Sequence, residues 1–416
     1  MFRPESERRR AALLAVATLD DAAATADRVR GLLAESDRLW ADLARFDLAP
    51  RAHAYLQHTG GHGGLPVPHC QWLEAVFARN AVRQALLQRR AAELSAALHQ
   101  NGIEVVWLKG LALSMDVYHP AGLRMMEDVD LLIPRDAGRE GVDLLLARGF
   151  EPHPHEDLPD LSRHAAQLRR RDPDLGGDGW LNVDLHFEVL QIEDGGRWTD
   201  LVWEHARPAG VAEALRPSAE LSLLLVALHL FFHYLNPKYL FRAASDAAAL
   251  LDASPEALDG AMLAALAAQP VVAAALVVLL ELLPAARHRP ARELAGELRS
   301  RLRGRGLEGR LDSIQRSARS MRTVRPFDPC LDKLGRSGSL PRAAAAFGRR
   351  LFSPSRLREH RVLRGEDPAG SWFRAFRAWL RTLSGANWRY AATSYRIGRF
   401  EAEAAPELSA DGAEDD

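Results

Sequence analysis

The sequence contains 416 residues, carries a formal net charge of −1 and includes only two cysteines. Its length predicts two or three domains with sizeable apolar cores, and its cysteine content excludes a disulfide-stabilised scaffold. The near-neutral charge excludes a general electrostatic attraction to nucleic acid or to membranes.

The cysteines and the first residues both favour a cytoplasmic location. Cys70 and Cys330 are separated widely in the sequence, and so few thiols are typical of a reducing compartment. Residues 1–10 are charged and lack the apolar stretch of a signal peptide.

Two apolar runs, 221–235 and 271–283, resemble membrane spans at first sight. The first is interrupted by His229 and His233 and the second by Glu281. Both fall short of the roughly 20 uninterrupted residues that a span requires. We therefore predict buried core helices here and no stable membrane insertion.

The N-terminal region is predicted to be helical up to a glycine-rich loop. Residues 1–50 are rich in Ala, Leu and Arg, whereas 59–66 contain four glycines. No Gly-Lys-Ser/Thr follows this loop, so it is not a Walker phosphate loop. Four histidines and a cysteine lie around it, namely His53, His58, His62, His69 and Cys70. Their spacing matches no common zinc module, so we do not favour a zinc site here.

A long helix is predicted over 68–100, because apolar residues recur there at intervals of three and four. Asn80 and Gln84 lie in the same stripe. Two interpretations of Asn80 remain open: it bonds a neighbouring helix, or it faces a nucleotide pocket. Asn101-Gly102 is a typical helix C-cap.

Next comes an arrangement that is typical of phosphate binding. Residues 103–108 form an apolar predicted strand, Lys109-Gly110 a turn, and 111–118 the start of a helix. Free backbone N–H groups at a helix start bind anions, and Lys109 adds a positive charge. Arg124 follows, either as a partner of nearby acids or phosphate or as an ordinary surface arginine.

The most informative residues are Asp128 and Asp130, which alternate with apolar residues in a second predicted strand. Residues i and i+2 of a strand point to the same face, so the two carboxylates project side by side. Such a pair can bridge metal ions about 3.5–4 Å apart, as in nucleotidyl transfer. The alternative is a strand end with two solvated acids.

A third strand can complete this site. After a predicted helix at 136–148 and an irregular strand at 165–171, residues 180–189 alternate cleanly between polar and apolar side chains. If this strand pairs beside the first acidic strand, Asp184 becomes a third carboxylate and can act as a base. His186 belongs either to the site or to a half-exposed strand surface.

Beyond residue 200 the pattern predicts almost only helices. Ser218 is a candidate N-cap for a helix over 221–234, and a further helix over 240–251 carries Asp246. His229 and His233 lie one turn apart but lack the glutamate of an HExxH motif, so structural roles are favoured.

Arginines dominate the C-terminal part of the sequence. They form a basic run at 301–325 and an aromatic–arginine block at 372–381. Solvated helix faces are the favoured interpretation, with RNA, an acidic partner or an anionic membrane surface as the alternative. The acidic tail, 401–416, is predicted to be disordered.

Taken together, Lys109-Gly110, Arg124, Asp128-Val129-Asp130 and Val183-Asp184-Leu185-His186 resemble an uncharacterised bacterial nucleotidyltransferase family of the DNA polymerase β-like superfamily. The similarity spans roughly 68–252. It implies an α+β fold with a small mixed sheet flanked by helices and large helical regions on both sides.

The resemblance also implies the chemistry. Asp128, Asp130 and Asp184 would bind two Mg²⁺ ions, with Mn²⁺ as an alternative, and Asp184 would activate the hydroxyl of an unknown acceptor. A nucleoside triphosphate such as ATP would be bound by Lys109 and Gly110 and, because Leu111 replaces the usual Gly or Ser, by backbone N–H groups and Ser114. Arg124 completes this nucleotide-binding set, and His186 and Asn80 are further candidates.

Five regions follow from this interpretation: a helical region at 1–100, a nucleotidyltransferase core at 101–200, a helical domain at 201–290, a basic helical region at 291–400 and the tail at 401–416. Two other functions are carried as hypotheses. One is a non-catalytic nucleotide- or partner-binding protein with this fold. The other is an arginine-rich RNA-binding helical protein.

Overall fold

A computed structural model describes residues 4–153, 164–176, 179–190, 195–233, 237–253 and 259–319, together with residue 400. Within these residues the chain forms fourteen α-helices and one seven-stranded mixed sheet. The predicted α+β class, with a small mixed sheet between helical regions, is therefore confirmed. No helix of this part of the chain is long and apolar enough to cross a membrane.

The described residues form two compact units. The first draws on the described parts of Met1–His229, Leu240–Ala265 and Leu279–Arg292, and it contains the whole sheet. The second draws on Leu230–Tyr239, Leu266–Val278 and the described part of Glu293–Asp416. The five predicted regions remain predictions.

Five helices precede the sheet: α1 Pro4–Thr18, α2 Ala23–Glu35, α3 Asp37–Arg45, α4 Ala49–His58 and α5 Val67–His99. The predicted long helix is confirmed as α5, whose 33 residues span about 50 Å. It ends where predicted, since Gly102 adopts a φ of +75° and its N–H bonds the carbonyl of His99.

Seven strands make up the sheet: β1 Val106–Trp107, β2 Asp128–Leu132, β3 Glu151–Pro152, β4 Ala165–Arg171, β5 Trp180–His186, β6 Arg207–Pro208 and β7 Leu215–Arg216. Their order across the sheet is β3-β4-β5-β2-β1-β7-β6. Two pairs, β2 with β5 and β1 with β7, are parallel, and the other pairs are antiparallel. The acidic strand β2 therefore lies at the centre.

The two faces of the central strands differ in chemistry. Val129 and Leu131 of β2 and Val183 and Leu185 of β5 are fully buried in a core that also includes Leu94 of α5. Alternation then directs the polar residues of both strands to the opposite face. Burial of the apolar set thus determines which face carries the carboxylates.

The remaining helices follow in order. They are α6 Lys109–Asp116, α7 Gly138–Ala147, α8 Gly195–Glu204, α9 Ala219–His233, α10 Pro237–Ala253, α11 Gly260–Leu266, α12 Pro270–Leu280, α13 Arg289–Gly304 and α14 Glu308–Arg319. Ser218 caps α9 as predicted, because its Oγ accepts a bond from the Leu221 N–H at 3.4 Å.

Candidate functional site

The carboxylates of β2 and β5 lie side by side on one face of the sheet. The parallel register pairs Asp130 with Asp184 and Asp128 with Asn182. Because paired strands lie about 4.8 Å apart, Asp130 and Asp184 are direct neighbours. Ligand atoms of Asp130, Asp184 and His186 all lie within 4.8 Å of one another. The acidic side chains of the two strands therefore converge.

Asp130 is the best-connected carboxylate of the group. It is only 4% exposed, and its Oδ1 lies 2.6 Å from the Lys109 Nζ and 2.9 Å from the His186 Nε2. Burial opposes its ionisation, but the Lys109 ammonium and the hydrogen bond from His186 hold its pKa below the usual range. Asp130 is therefore charged in the absence of substrate, and the alternative of a solvated strand end is wrong for this residue.

Asp128 and Asp184 are less well compensated. Burial and the charges of Asp130 and Asp128 raise the pKa of Asp184 to about 7. Burial and the Asp130 carboxylate also raise the pKa of Asp128, although Lys109, Arg242 and Arg124 offset part of the rise. Three carboxylates thus share one nearby ammonium, and the site has an excess of negative charge.

The donor set fits a divalent cation. Clustered carboxylates are the ligands that Mg²⁺ and Mn²⁺ prefer, and the His186 imidazole is a ligand that Mn²⁺ accepts more readily than Mg²⁺. Burial and Lys109 lower the pKa of His186, so its ring is neutral, as a metal ligand must be. Among the described residues, this is the group of three or more metal-ligating side chains that lies close enough to hold an ion.

The charge excess predicts that Asp184→Asn stabilises the metal-free protein. Folding raises the pKa of the Asp184 carboxyl, so this group increasingly destabilises the folded state as the pH rises from about 4 towards 7. In EDTA at pH 8 we expect the melting temperature to rise by about 3 °C, or about 1 kcal/mol. The gain should shrink as the pH falls from 7 to 4, as differential scanning fluorimetry across this pH range will measure.

The matched control for this prediction is Glu104→Gln, which removes one exposed carboxylate outside the cluster. It should leave the melting temperature unchanged at every pH. An Asp184→Asn variant that melts below the wild type at pH 8 would show that the carboxylate contributes to folding, and it would contradict the charge-excess argument.

The Lys109-Gly110 turn lies beside the carboxylates. Lys109 adopts a φ of +47°, a left-handed conformation that is strained for a residue with a side chain. It follows an extended Leu108, whose side chain does not cap α6. This strained turn directs the Lys109 ammonium to Asp130 and leaves the first N–H groups of α6 for an anion.

Gly110 is required by the close approach of Arg124. A Cβ at this position would lie 2.1 Å from Nη1 of the buried Arg124 guanidinium. We therefore expect Gly110→Ala to displace Arg124 and to destabilise the protein by about 1–3 kcal/mol. Gly31→Ala is the control, because Gly31 is in α2 with nothing near its Cβ position. Equal melting temperatures for both variants would contradict the prediction.

Arg124 is held by a buried network that the sequence did not reveal. Its Nε and Nη2 donate to Oδ1 and Oδ2 of Asp246 on α10, at 2.8 and 2.9 Å. The Tyr118 hydroxyl donates to the same Oδ1 at 2.5 Å. Arg124 is 8% exposed, so the surface-arginine interpretation is wrong. Its predicted role in nucleotide binding remains a prediction.

Asn80 and Gln84 attach the segment before β2 to α5. The Asn80 side-chain amide donates to the carbonyls of Gly122 and Arg124 at 2.6 and 3.0 Å. The Gln84 Oε1 accepts from the Gly122 N–H at 2.7 Å. Asn80 therefore positions the segment that carries Arg124, whereas a direct contact of Asn80 with nucleotide remains a prediction.

Ser114 makes contacts within the helices rather than with the carboxylates. Its Oγ donates to the Leu111 carbonyl at 2.7 Å and accepts from the Gln88 side chain at 3.0 Å. Gln167, which the sequence did not single out, lies opposite Asp184 on β4 and donates to its carboxylate at 3.3 Å. The role of Ser114 as a phosphate ligand remains a prediction.

The histidines of the N-terminal region form no metal cluster within the described part of the chain. The His53 and His62 rings lie 5.7 Å apart, and His69 stacks on Trp40 at 4.5 Å. His229 lies on α9, whereas the side chain of His233 lies outside the described residues. The structural role predicted for His229 and His233 remains a prediction.

Several arginines of the basic run have acidic partners on their own or the next helix. Arg301 pairs with Glu297 at 2.6 Å, and Arg303 pairs with Glu308 at 2.6 Å. The side chains of 316–325, the block at 372–381 and the tail at 401–416 lie outside the described residues. The described arginines are thus partly neutralised, which gives no support to an RNA-binding surface.

The fold places paired carboxylates on adjacent central strands, where Asp130, Asp184 and His186 could hold a metal ion. The chain belongs to a family described as uncharacterised nucleotidyltransferase, whose model matches residues 34–286. The match includes every candidate site residue and leaves 1–33 and 287–416 outside it. No curated protein matches the sequence.

Proposed function

We propose that the protein is a magnesium-dependent nucleotidyltransferase of the EC 2.7.7 type. It transfers a nucleoside monophosphate from a nucleoside triphosphate, such as ATP, to a hydroxyl of a small molecule, natural product or protein. Family membership supports the reaction class. The observation that carries the proposal is the register that sets Asp130 beside Asp184.

Three finer statements belong to this proposal. The family is a bacterial branch of the polymerase β-like superfamily, the protein acts in the cytoplasm, and residues 101–200 form its nucleotidyltransferase core. The five strands from β1 to β5 and the turn at Lys109 all fall within this core. A helical domain at 201–290 supports it through Asp246.

Asp128, Asp130 and Asp184 would hold two Mg²⁺ ions, with Mn²⁺ as an alternative and His186 as a further ligand. When bound, such ions neutralise phosphate charge and make the acceptor hydroxyl more acidic. The clustered ligand atoms of Asp130, Asp184 and His186 and the excess of negative charge support this assignment. Asp128 is not part of this cluster and is included because it shares a strand face with Asp130.

Asp184 is the residue best placed to receive the proton of the acceptor hydroxyl. Its side chain is partly exposed and lies beside Asp130 across the two strands, so an acceptor hydroxyl bound at this face can contact it. Gln167 orients its carboxylate through the bond at 3.3 Å. The acceptor oxygen then bonds the α-phosphorus, and the bond from this phosphorus to the oxygen of the leaving pyrophosphate breaks.

Lys109 and the start of α6 bind and orient the phosphates. The Lys109 Nζ lies beside both Asp130 and His186, at 2.6 and 3.3 Å, so it can contact a phosphate adjacent to the carboxylates. The N–H groups of Gly110 and Leu111 add donors that need no hydroxyl side chain. Arg124, packed on Gly110, shields this turn from one side.

The proposal is tested by two measurements. Each nucleoside triphosphate with Mg²⁺ should be screened by thermal shift, because a ligand of the folded state raises its melting temperature. The stabilising nucleotide, labelled with ³²P at the α-phosphate, should then transfer label to a component of a small-molecule or protein extract. Magnesium-dependent stabilisation without transfer would favour the non-catalytic hypothesis, and no stabilisation by any nucleotide would contradict both.

A further inference from the structure

The Lys109 ammonium lies among the side chains that could hold a metal ion. Its Nζ is 2.6 Å from the Asp130 Oδ1 and 3.3 Å from the His186 Nε2. These two residues and Asp184 have ligand atoms that all lie within 4.8 Å of one another. A divalent cation that bonds Asp130 and His186 would therefore meet the positive charge of Lys109 at the same atoms.

This ammonium carries its full charge. Burial opposes the charged form, but Asp130, Asp184 and Asp128 together raise the pKa of Lys109 above its ordinary value. Like charges repel strongly at such short distances when little water separates them. Lys109 and a divalent cation are thus rivals for one group of carboxylates.

Of the three groups in contact, Lys109 is the one that has room to move. Its side chain is 32% exposed, whereas those of Asp130 and His186 are 5% and 2% exposed. A lysine ammonium is also carried on four flexible methylene groups. The two candidate ligands are fixed by their surroundings, so relief of the repulsion requires a displacement of Lys109.

The other possible role of Lys109 is to hold Asp130 in position for the metal. Asp130 does not depend on Lys109 for this, because its Oδ1 also lies 2.9 Å from the buried His186 Nε2. Its backbone is fixed as well, since Asp130 pairs with Asp184 in the centre of the sheet. Loss of the ammonium should therefore leave the carboxylate in place and remove only the competing charge.

We propose that the Lys109 ammonium competes with the divalent cation for Asp130, and that the phosphates of the nucleoside triphosphate admit the cation by drawing Lys109 away. This inference rests on the proposed function, which assigns the phosphates to the adjacent start of α6. It makes metal binding weak in the protein alone and strong once nucleotide is bound. Such coupling between two ligands is reciprocal.

The first measurement is Mn²⁺ binding to the full chain without nucleotide, followed by electron paramagnetic resonance. Lys109→Met keeps the length of the side chain and removes its charge, and Lys109→Gln is a second neutral variant that keeps a donor for Asp130. Lys109→Arg keeps the charge. Arg89→Met is the control for a general loss of charge, because Arg89 is an exposed residue of α5 that pairs with Glu93.

We expect Lys109→Met and Lys109→Gln to bind Mn²⁺ about tenfold more tightly than the wild type, or better, because a nearby like charge has been removed. Lys109→Arg and Arg89→Met should match the wild type. The melting temperature of each variant with and without Mn²⁺ is recorded in parallel. A neutral variant that melts lower in EDTA should gain more from Mn²⁺ than the wild type does.

The second measurement repeats the titration with the exchange-inert tetraammine cobalt(III) complex of ATP, whose phosphates are already ligated and bind little free Mn²⁺. This complex should raise the Mn²⁺ affinity of the wild type by about tenfold, which corresponds to a coupling free energy of about 1.4 kcal/mol. It should change the affinity of Lys109→Met little, because no ammonium remains to be drawn away.

The sign of the first result decides between competition and support. Unchanged or weaker Mn²⁺ binding in both neutral variants, or no binding by any of these proteins, overturns the competition. An equal gain in Arg89→Met overturns it too, since the effect would then come from general surface charge. If the cobalt complex leaves the wild-type affinity unchanged, the coupling to nucleotide is rejected. Because the first measurement uses neither nucleotide nor acceptor, failure to detect transfer would reject the proposed enzyme and not the competition.

Discussion

Asp130→Asn is expected to reduce nucleotidyl transfer by about 10³-fold, equivalent to about 4 kcal/mol. Asp130 is the most buried of the three acids, and it pairs directly with Asp184 across the two strands. An amide of the same shape carries no charge and binds divalent cations weakly. The measurement is the initial rate of label transfer from the α-³²P-labelled nucleotide at saturating Mg²⁺.

Asp136→Asn is the control for this variant, because Asp136 is an exposed acid that follows β2 in the same segment. It should transfer label at the wild-type rate. Binding of Mn²⁺, measured by electron paramagnetic resonance, provides a second measurement that requires no acceptor. Asp130→Asn should lose at least about tenfold in Mn²⁺ affinity. Retention of more than a tenth of the wild-type rate would reject Asp130 as a metal ligand.

The variant should remain folded, which makes its loss of activity interpretable. The asparagine carbonyl can still accept the bond from Lys109 at the position of Oδ1. The substitution also removes one negative charge from the cluster, whose excess of negative charge raises the pKa of Asp184. We therefore expect a melting temperature within a few degrees of the wild type in EDTA.

The parts of the fold that depend on local periodicity could be predicted from the sequence. Alternation over 180–189 predicted β5, and the interval of three and four residues over 68–100 predicted α5. Both signals arise because one face is buried and the other is not. The pairings β1–β2 and β6–β7 each involve only two residues per strand, which is too short for a periodic pattern. Strands β6 and β7 were therefore missed, because they lie in a region predicted to be helical.

The geometry of the site could be predicted only on the assumption that the two acidic strands are neighbours in the sheet. The sequence showed that Asp128 and Asp130 share a face, but the parallel register that sets Asp184 opposite Asp130 depends on the packing of the sheet. Lys109 was assigned to phosphate, and the structure places its ammonium on Asp130. A side chain of this length can serve either partner, and spacing along the chain does not distinguish them.

Long-range ion pairs were beyond prediction for a different reason. Arg124 and Asp246 are 122 residues apart, and no short motif connects them. The available signal was Asp246 among the alanines and leucines of the predicted helix over 240–251, since a buried carboxylate requires a partner. That signal identifies Asp246 as paired but does not say with which of the many arginines.

Asp246→Ala is expected to destabilise the protein by about 3–5 kcal/mol, because it leaves the buried Arg124 without a counter-charge. The Tyr118 hydroxyl loses its acceptor at the same time. For a chain of this size such a loss corresponds to a fall of about 10 °C in the melting temperature. Tyr118→Phe is the matched comparison and should cost only about 1 kcal/mol, since it removes one neutral donor.

A double variant separates the buried ion pair from simple loss of side-chain volume. Arg124→Met with Asp246→Leu removes both charges and keeps most of the buried volume, so it should be more stable than Asp246→Ala alone. It should nevertheless lose nucleotide affinity, because Arg124 no longer lies on the Gly110 turn. The double variant could instead prove no more stable than Asp246→Ala. In that case packing around α10, and not the uncompensated charge of Arg124, determines the loss of stability in Asp246→Ala.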